Sequence, residues 1–347
     1  MIEKIEQYKL LQAKYNIPFE DVVAMDLNLS GVATDLHSNR VRISLYVNNQ
    51  QSLLFSLENN TSSLYNIKNR KLFFKDICLF DISDIKEDTC EVFYTRKNDK
   101  VLCFNPNNRS SCKGGCRFCY QPMAHDTQYI SSDMLLNTFK EWLQNNNFPN
   151  LSHLEQIAVI TGCFPTEQIV VEFLLKLREV TQILGFRNEI LYFGIISNLE
   201  NIKILSKIKP FKICFTVECF ENRDIILSQK KNLELPILIA LMDKAIENGI
   251  ITTFSYVLGL DSVESFKENM VLLKNYINSF PVISLFQTDN IREKYKHKEA
   301  LNIEYYLKCR KYIEKFFADT NLKPNSWNNY RSLWRTCYNG ESIINNK

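Results

Sequence analysis

The sequence predicts an α/β fold: a partial (β/α) barrel with an N-terminal helix-plus-antiparallel-sheet appendage and a C-terminal helical tail. Three patterns predict it. After residue 119 short apolar runs rich in β-branched and aromatic residues alternate with amphipathic segments of helical period. Between residues 40 and 95 the alternation is period two, broken by Asn-rich turns. Residues 300–317 return to helical spacing.

Residues 1–16, MIEKIEQYKLLQAKYN, read as an amphipathic helix, with a short helical turn after Pro18. RVRISLYV, SLLFSL, KLFFKDICLF and CEVFYT read as antiparallel strands, which makes residues 1–100 the appendage. In residues 101–298 the strand candidates are 157–161, 191–197, 212–218, 251–258 and 282–286, with one more expected just before residue 109. Segments 166–184, 199–208, 235–248 and 261–278 between them read as helices. Strands joined by helical crossovers give a parallel sheet with right-handed connections, and in such barrels ligands sit where the strands' C-terminal ends meet the loops. The tail, 299–347, opens with ALNIEYYLKCRKYIEKFF. It continues as NSWNNYRSLWRTCYNG, in which Trp327, Tyr330 and Trp334 would share one helical face. That face either packs on the outside of the barrel or covers its mouth.

A chain of 347 residues can bury one large core and a smaller one. Its 45% hydrophobic and 23% charged residues are those of a globular protein. A net charge of +3, from 42 basic and 39 acidic residues, is far from the basic excess of a nucleic-acid-binding face. Charges interrupt the N-terminal apolar positions, unlike a signal peptide, and runs such as 235–242 are too short to cross a bilayer. The expectation is a cytoplasmic protein with no nucleic-acid or membrane partner. In a reducing compartment its 11 cysteines, an odd number, are thiols or metal ligands.

The stretch RSSCKGGCRFCYQP, 109–122, spaces Cys112, Cys116 and Cys119 as C-x3-C-x2-C. Such spacing lets several thiolates converge, and Gly114 and Gly115 permit the positive φ angles that wrapping a bulky group requires. A cubane iron–sulfur cluster held this way has three irons anchored by thiolates and a fourth left open. The alternative is a zinc site completed by His125, although zinc ribbons pair two knuckles and no second C-x2-C occurs in the chain.

This loop, with Phe118 immediately before its last cysteine, resembles the signature of the radical S-adenosylmethionine superfamily, and the resemblance extends over about residues 101–290. It implies a [4Fe–4S] cluster on Cys112, Cys116 and Cys119 whose open iron binds the amino and carboxylate groups of S-adenosylmethionine. An electron donor such as flavodoxin or ferredoxin then drives cleavage to a 5′-deoxyadenosyl radical, which takes a hydrogen atom from substrate. It also implies a cofactor-binding set of Phe118, Gly162, Ser197, Asn198, Glu218, Arg223, Val257 and Gly259.

Within that set, TGCFP at 161–165 stands where relatives carry a glycine-glycine-glutamate-proline motif. Gly162 and Pro165 match it, Cys163 and Phe164 depart from it, and Glu167 is either the substitute carboxylate or a solvent-facing residue of the first helical turn. Ser197 and Asn198 end one strand, near the expected methionine carboxylate or ribose. Glu218 ends another, where it meets ribose hydroxyls or forms a surface ion pair with Arg223. Val257 and Gly259 lie where relatives pack adenine. Cys163 and Cys219, at strand ends, are candidate hydrogen-atom donors or small buried hydrophobes. The segments from 216 to the tail helix look most like the biotin-synthase and thiazole-synthase-related branch. With Cys309 and Cys337 isolated, and Cys78, Cys90 and Cys103 widely spaced, a single cluster is expected. The expected reaction is hydrogen abstraction from a small metabolite by a lyase, mutase or synthase. The alternatives are a peptide substrate docked by strand addition on the N-terminal sheet, or a non-catalytic zinc module.

Overall fold

The computed structural model describes residues 2–47, 51–89, 91–107, 112, 114–120, 129–287, 289 and 291–344. Helix α1 (Ile2–Tyr15) is followed by α2 (Phe19–Ser30), three turns long where the sequence suggested one. Pro18 precedes α2 with φ −55, Glu20 and Asp21 favour its first turn, and Gly31, at φ 68, ends it by returning its N–H to Leu27 O.

The first sheet is antiparallel: β1 (Arg40–Val47), β2 (Gln51–Glu58), β3 (Tyr65–Lys68), β4 (Lys71–Phe74) and β5 (Ile77–Glu87), in the order β2-β1-β5-β4-β3. KLFFKDICLF is two strands and not one, because the chain turns at Lys75, whose φ is 53. Alternation aims Val41, Ile43, Leu45, Leu53, Phe55 and Leu57 into the core, together with Val23 and Leu27 of α2.

The second sheet has seven strands in chain order: β6 (Phe93–Arg96), β7 (Val101–Phe104), β8 (Gln156–Ile160), β9 (Glu189–Gly194), β10 (Phe211–Glu218), β11 (Ile251–Leu258) and β12 (Val282–Leu285). From β7 to β12 every pairing is parallel. The sequential order with helical crossovers is that of a partial TIM-like barrel. β6, drawn from CEVFYT, was expected in the appendage sheet but pairs antiparallel with β7. A tight turn through Lys97, Asn98 and Asp99, all at positive φ, folds the two strands together, and Phe93 stacks on Phe104 at 4.8 Å.

The remaining helices are α3 (Leu135–Asn145), α4 (Glu167–Ile183), α5 (Leu199–Leu205), α6 (Arg223–Ile226), α7 (Leu235–Glu247), α8 (Val263–Leu273) and α9 (Ile303–Phe316). α3 was not anticipated. Outward-facing strand residues such as Leu102, Ile157, Val159, Ile190 and Phe215 join the main core, while Val101, Cys103, Ala158, Leu191, Cys214 and Val282 form a smaller cluster on the opposite face. No helix among the described residues is long and apolar enough to cross a membrane.

Among the described residues the segment 325–344 is not helical. It runs beside β12, where Leu285 N donates to Arg331 O at 2.8 Å, and ends in a hairpin of β13 (Cys337–Tyr338) and β14 (Glu341–Ser342). Asn329 makes a local turn by accepting from Arg331 N, a bond that competes with helix. Trp327, Tyr330 and Trp334 therefore share no face. Trp334 is buried against Phe280 at 5.2 Å, Trp327 packs beside the inner barrel cluster, and Tyr330 reaches the cavity described below.

One buried charge network ties the tail to the rest. Arg310 of α9 donates to Asp21 of α2 at 2.6 Å, to Glu314 at 2.8 Å and to the carbonyls of Leu333 and Cys337. Asp21 also accepts from Thr336 N and Oγ1, each at 2.8 Å.

Candidate active site

A cavity of about 570 Å³ opens at the C-terminal ends of the parallel strands, within the size range of small-molecule sites. Cys112, Gly115, Cys116, Phe118 and Cys119 form part of its wall. Gly115 adopts φ 62, and a Cβ on Gly114 would stand 3.0 Å from Cys163 Sγ and 3.1 Å from Cys112 Sγ. The two glycines thus let the backbone pass close to sulfur. Cys119 N returns to Cys116 O at 3.1 Å, Arg117 N donates to Ile226 O, and Arg292 Nε donates to Cys119 O at 2.9 Å, which pins the loop against the barrel.

Cys112 Sγ accepts from Gly114 N at 3.2 Å and from Cys163 N at 3.1 Å. A hydrogen bond from the Cys163 thiol holds the Cys112 pKa down against burial, with the two backbone bonds assisting, and pushes that of Cys163 up. Burial pushes the Cys116 thiol up. Among the described residues no group of three His, Cys, Asp or Glu stands ready to grip a single ion, and His125 lies outside them, as does Cys90. In donor chemistry and in the glycine cradle beside the sulfurs, the residues present fit a thiolate-held cluster.

Gly162 and Cys163, just beyond β8, line the cavity, as does Glu167 in the first turn of α4. Glu167 accepts from Ser197 N and Oγ, Asn198 N and Asn201 Nδ2, at 2.5 to 3.1 Å. Burial raises its pKa, yet these bonds outweigh burial and hold the carboxyl below its usual range. Ser197 and Asn198, expected to approach the cofactor, are exposed and joined to Glu167. Asn198 caps α5, and Gly194 and Ile195 line the wall in their place.

Glu218, at φ 69 beside a bulge in β10, is buried and lines the cavity. Its partner is Lys230, at 2.5 Å, and not Arg223. Burial works to discharge Lys230, but the Glu218 carboxylate beside it more than offsets this and keeps the ammonium charged. Arg223 donates to the carbonyls of Val217, Cys219, Lys230 and Leu233, bracing the loop that carries Lys230. The expected surface ion pair is therefore replaced by a cavity pair. Lys230 went unanticipated because nothing in QKKN distinguishes it from a solvated lysine.

Cys219 is fully buried with Ile226, Leu227, Val257, Leu260 and Phe286, against which Cys116 and Phe118 pack; it is not on the cavity wall. Val257 belongs to that packing. Gly259, at φ 119, leaves no room for a side chain beside Tyr306 and Phe286, while Ser255 of the same strand does line the cavity.

The first sheet and the tail form the other wall. Arg42, Ser56, Asp88, Glu91, Tyr94, Tyr330 and Arg331 line the cavity here, with the Arg42 guanidinium 5.2 Å from the Tyr94 ring and 5.7 Å from the Tyr330 ring. Arg42 donates to Asp88 at 2.6 Å and to Glu91 at 3.4 Å. Arg40 bonds Ser56 and Gln287, and Gln287 in turn donates to Asn28 and Ser56 O, joining the sheet to the end of β12.

No protein-family model matches the sequence, and no curated protein does. Solved structures resemble it in part. SuiB of Streptococcus suis bound to S-adenosylmethionine has a TM-score of 0.48 and 14% identity, over 65% of this chain and 49% of its own. The coproporphyrinogen III oxidase HemN of Escherichia coli, described as a radical SAM enzyme, has a TM-score of 0.44 and 15% identity, over 65% of this chain and 53% of its own. Methylornithine synthase PylB has a TM-score of 0.44 and 13% identity, over 60% and 59%. The chain thus spans about half the length of the first of these.

Proposed function

We propose that the chain is a radical S-adenosylmethionine enzyme acting on a small molecule. One observation carries this reading: Cys112, Cys116 and Cys119 line one cavity at the C-terminal ends of the parallel strands, together with Gly162, Glu167 and the Glu218–Lys230 pair. The chemistry a [4Fe–4S] cluster supplies in such a site is one-electron cleavage of S-adenosylmethionine to methionine and a 5′-deoxyadenosyl radical. The protein's part is to orient and to enclose. Glu218 offers a carboxylate to hydroxyl or ammonium donors and Lys230 fixes its charge. The first sheet, Tyr330 and Arg331 cover the opening and limit water. A low-potential carrier such as flavodoxin or ferredoxin is the electron donor in this reading.

Anaerobic reconstitution should give about four irons per chain with matching acid-labile sulfide, and reduced protein should release 5′-deoxyadenosine and methionine. Stoichiometric zinc without sulfide would overturn the reading. A second expected outcome concerns the cofactor. Glu218→Gln should weaken S-adenosylmethionine binding about tenfold with iron content unchanged, as read by equilibrium dialysis. Unchanged affinity would reduce the pair to a brace for its loop.

A further inference from the structure

We infer that Arg331 is the anchor for an oxyanion, carboxylate or phosphate, on the substrate. The inference rests on the reading above for which molecule reacts, and on charge accounting for the rest. Among the described residues three cationic side chains line the cavity: Arg42, Lys230 and Arg331. Arg42 is committed to Asp88 and Glu91, and Lys230 to Glu218. The guanidinium of Arg331 forms no ion pair and donates no hydrogen bond among the described residues; its nearest ring is Tyr120, 5.9 Å from the guanidinium carbon. Its backbone is nonetheless fixed, since Arg331 O accepts from Leu285 N and Arg331 N donates to Asn329. Burial, and then neighbouring Arg40, push its pKa down to about 10, more than Tyr120, Cys119 and Asp88 nearby offset.

The cavity also holds unused donors. The hydroxyls of Thr161, Thr216 and Ser255, at the ends of β8, β10 and β11, are buried and have no partner. Three buried hydroxyls without partners are costly unless an acceptor-rich group enters the cavity, and the planar guanidinium of Arg331, partly exposed on the wall formed by the tail, can bind carboxylate or phosphate through two parallel bonds. The cofactor's own carboxylate is the competing source. Arg331, however, enters from the tail beside β12, next to β11 and its Ser255, whereas Gly162, Cys163, Glu167 and the Glu218–Lys230 pair, together with Thr161 and Thr216, lie at β8 to β10.

The test is calorimetric titration of the full chain, both metal-free and reconstituted with S-adenosylmethionine, using succinate, inorganic phosphate and neutral succinamide at fixed ionic strength. The expected result is saturable binding of succinate or phosphate and not of succinamide. It should weaken about tenfold or more in Arg331→Met, less in Arg331→Lys, and measurably in Ser255→Ala, with S-adenosylmethionine affinity unchanged in all three. The inference is overturned if neither oxyanion binds wild-type protein, if Arg331→Met binds as wild type, or if that variant loses S-adenosylmethionine affinity instead. Because the metal-free arm needs no cluster, failure of the iron and sulfide analysis is read separately from failure here.

Discussion

Alanine at Cys112, Cys116 or Cys119 is expected to reduce iron from about four per chain to background, while the chain keeps its cooperative unfolding. All three thiols are only partly buried and lie on a cavity wall, and none belongs to the main core. Their removal leaves no large void there, and other contacts still hold the loop: Arg117 N to Ile226 O, and Arg292 Nε to the main-chain carbonyl of Cys119, an acceptor that survives substitution. Cys219→Ala and Cys309→Ala serve as controls. Both thiols are fully buried among apolar side chains, where burial pushes their pKa up and keeps them protonated, the form that does not ligate metal. The measurement is iron and sulfide per chain, beside thermal melts of each variant. Iron retained in Cys116→Ala, or lost in Cys309→Ala, would place the metal elsewhere.

Breaking the Asp21–Arg310 pair is expected to cost about 3–5 kcal/mol, a large share of the roughly 5–15 kcal/mol typical of a folded domain. Arg310 is 1% and Asp21 1% exposed. Asp21→Asn leaves Arg310 facing a neutral amide in the core. Arg310→Met strands Asp21 and also frees Glu314 and the carbonyls of Leu333 and Cys337. Because α2, α9 and the tail all meet at this network, the loss should appear as a lower urea midpoint for the whole transition. A separate early step would show instead that the tail unfolds alone. A shift below about 1 kcal/mol would show the network to be no stronger than a surface pair. The same network makes deletion of residues 325–347 a poor probe of cavity closure. It removes Trp334 and Thr336 from the core, so point changes at Tyr330 and Arg331 are the cleaner test.

The alternating strands and helices after residue 119 were legible because each buries one face, and periodicity reports burial directly. ITTFSYVL coincides with a strand of the barrel sheet, and IAVIT and KICFTVE each cover all but the first residue of one. CEVFYT was read as a strand but placed in the wrong sheet, since alternation says nothing of which neighbour a strand pairs with. The C-x3-C-x2-C loop was legible because its ligand-type residues are close in sequence, so short-range geometry alone brings them toward one cavity.

The sequence by itself determined where most of the barrel's strands and helices run and which loop carries the thiols. Only the tertiary structure decided the partners of the charges: Glu218 with Lys230, Glu167 with Ser197 and Asn201, Asp21 with Arg310, and Arg331 with none among the described residues. These pairings join residues 12 to 289 positions apart. They depend on how loops at the strand ends fold back across the barrel mouth. An acidic or basic residue in such a loop has the same local pattern whether it is solvated, paired or held empty-handed in a cavity, so its role is set by packing that no local spacing records.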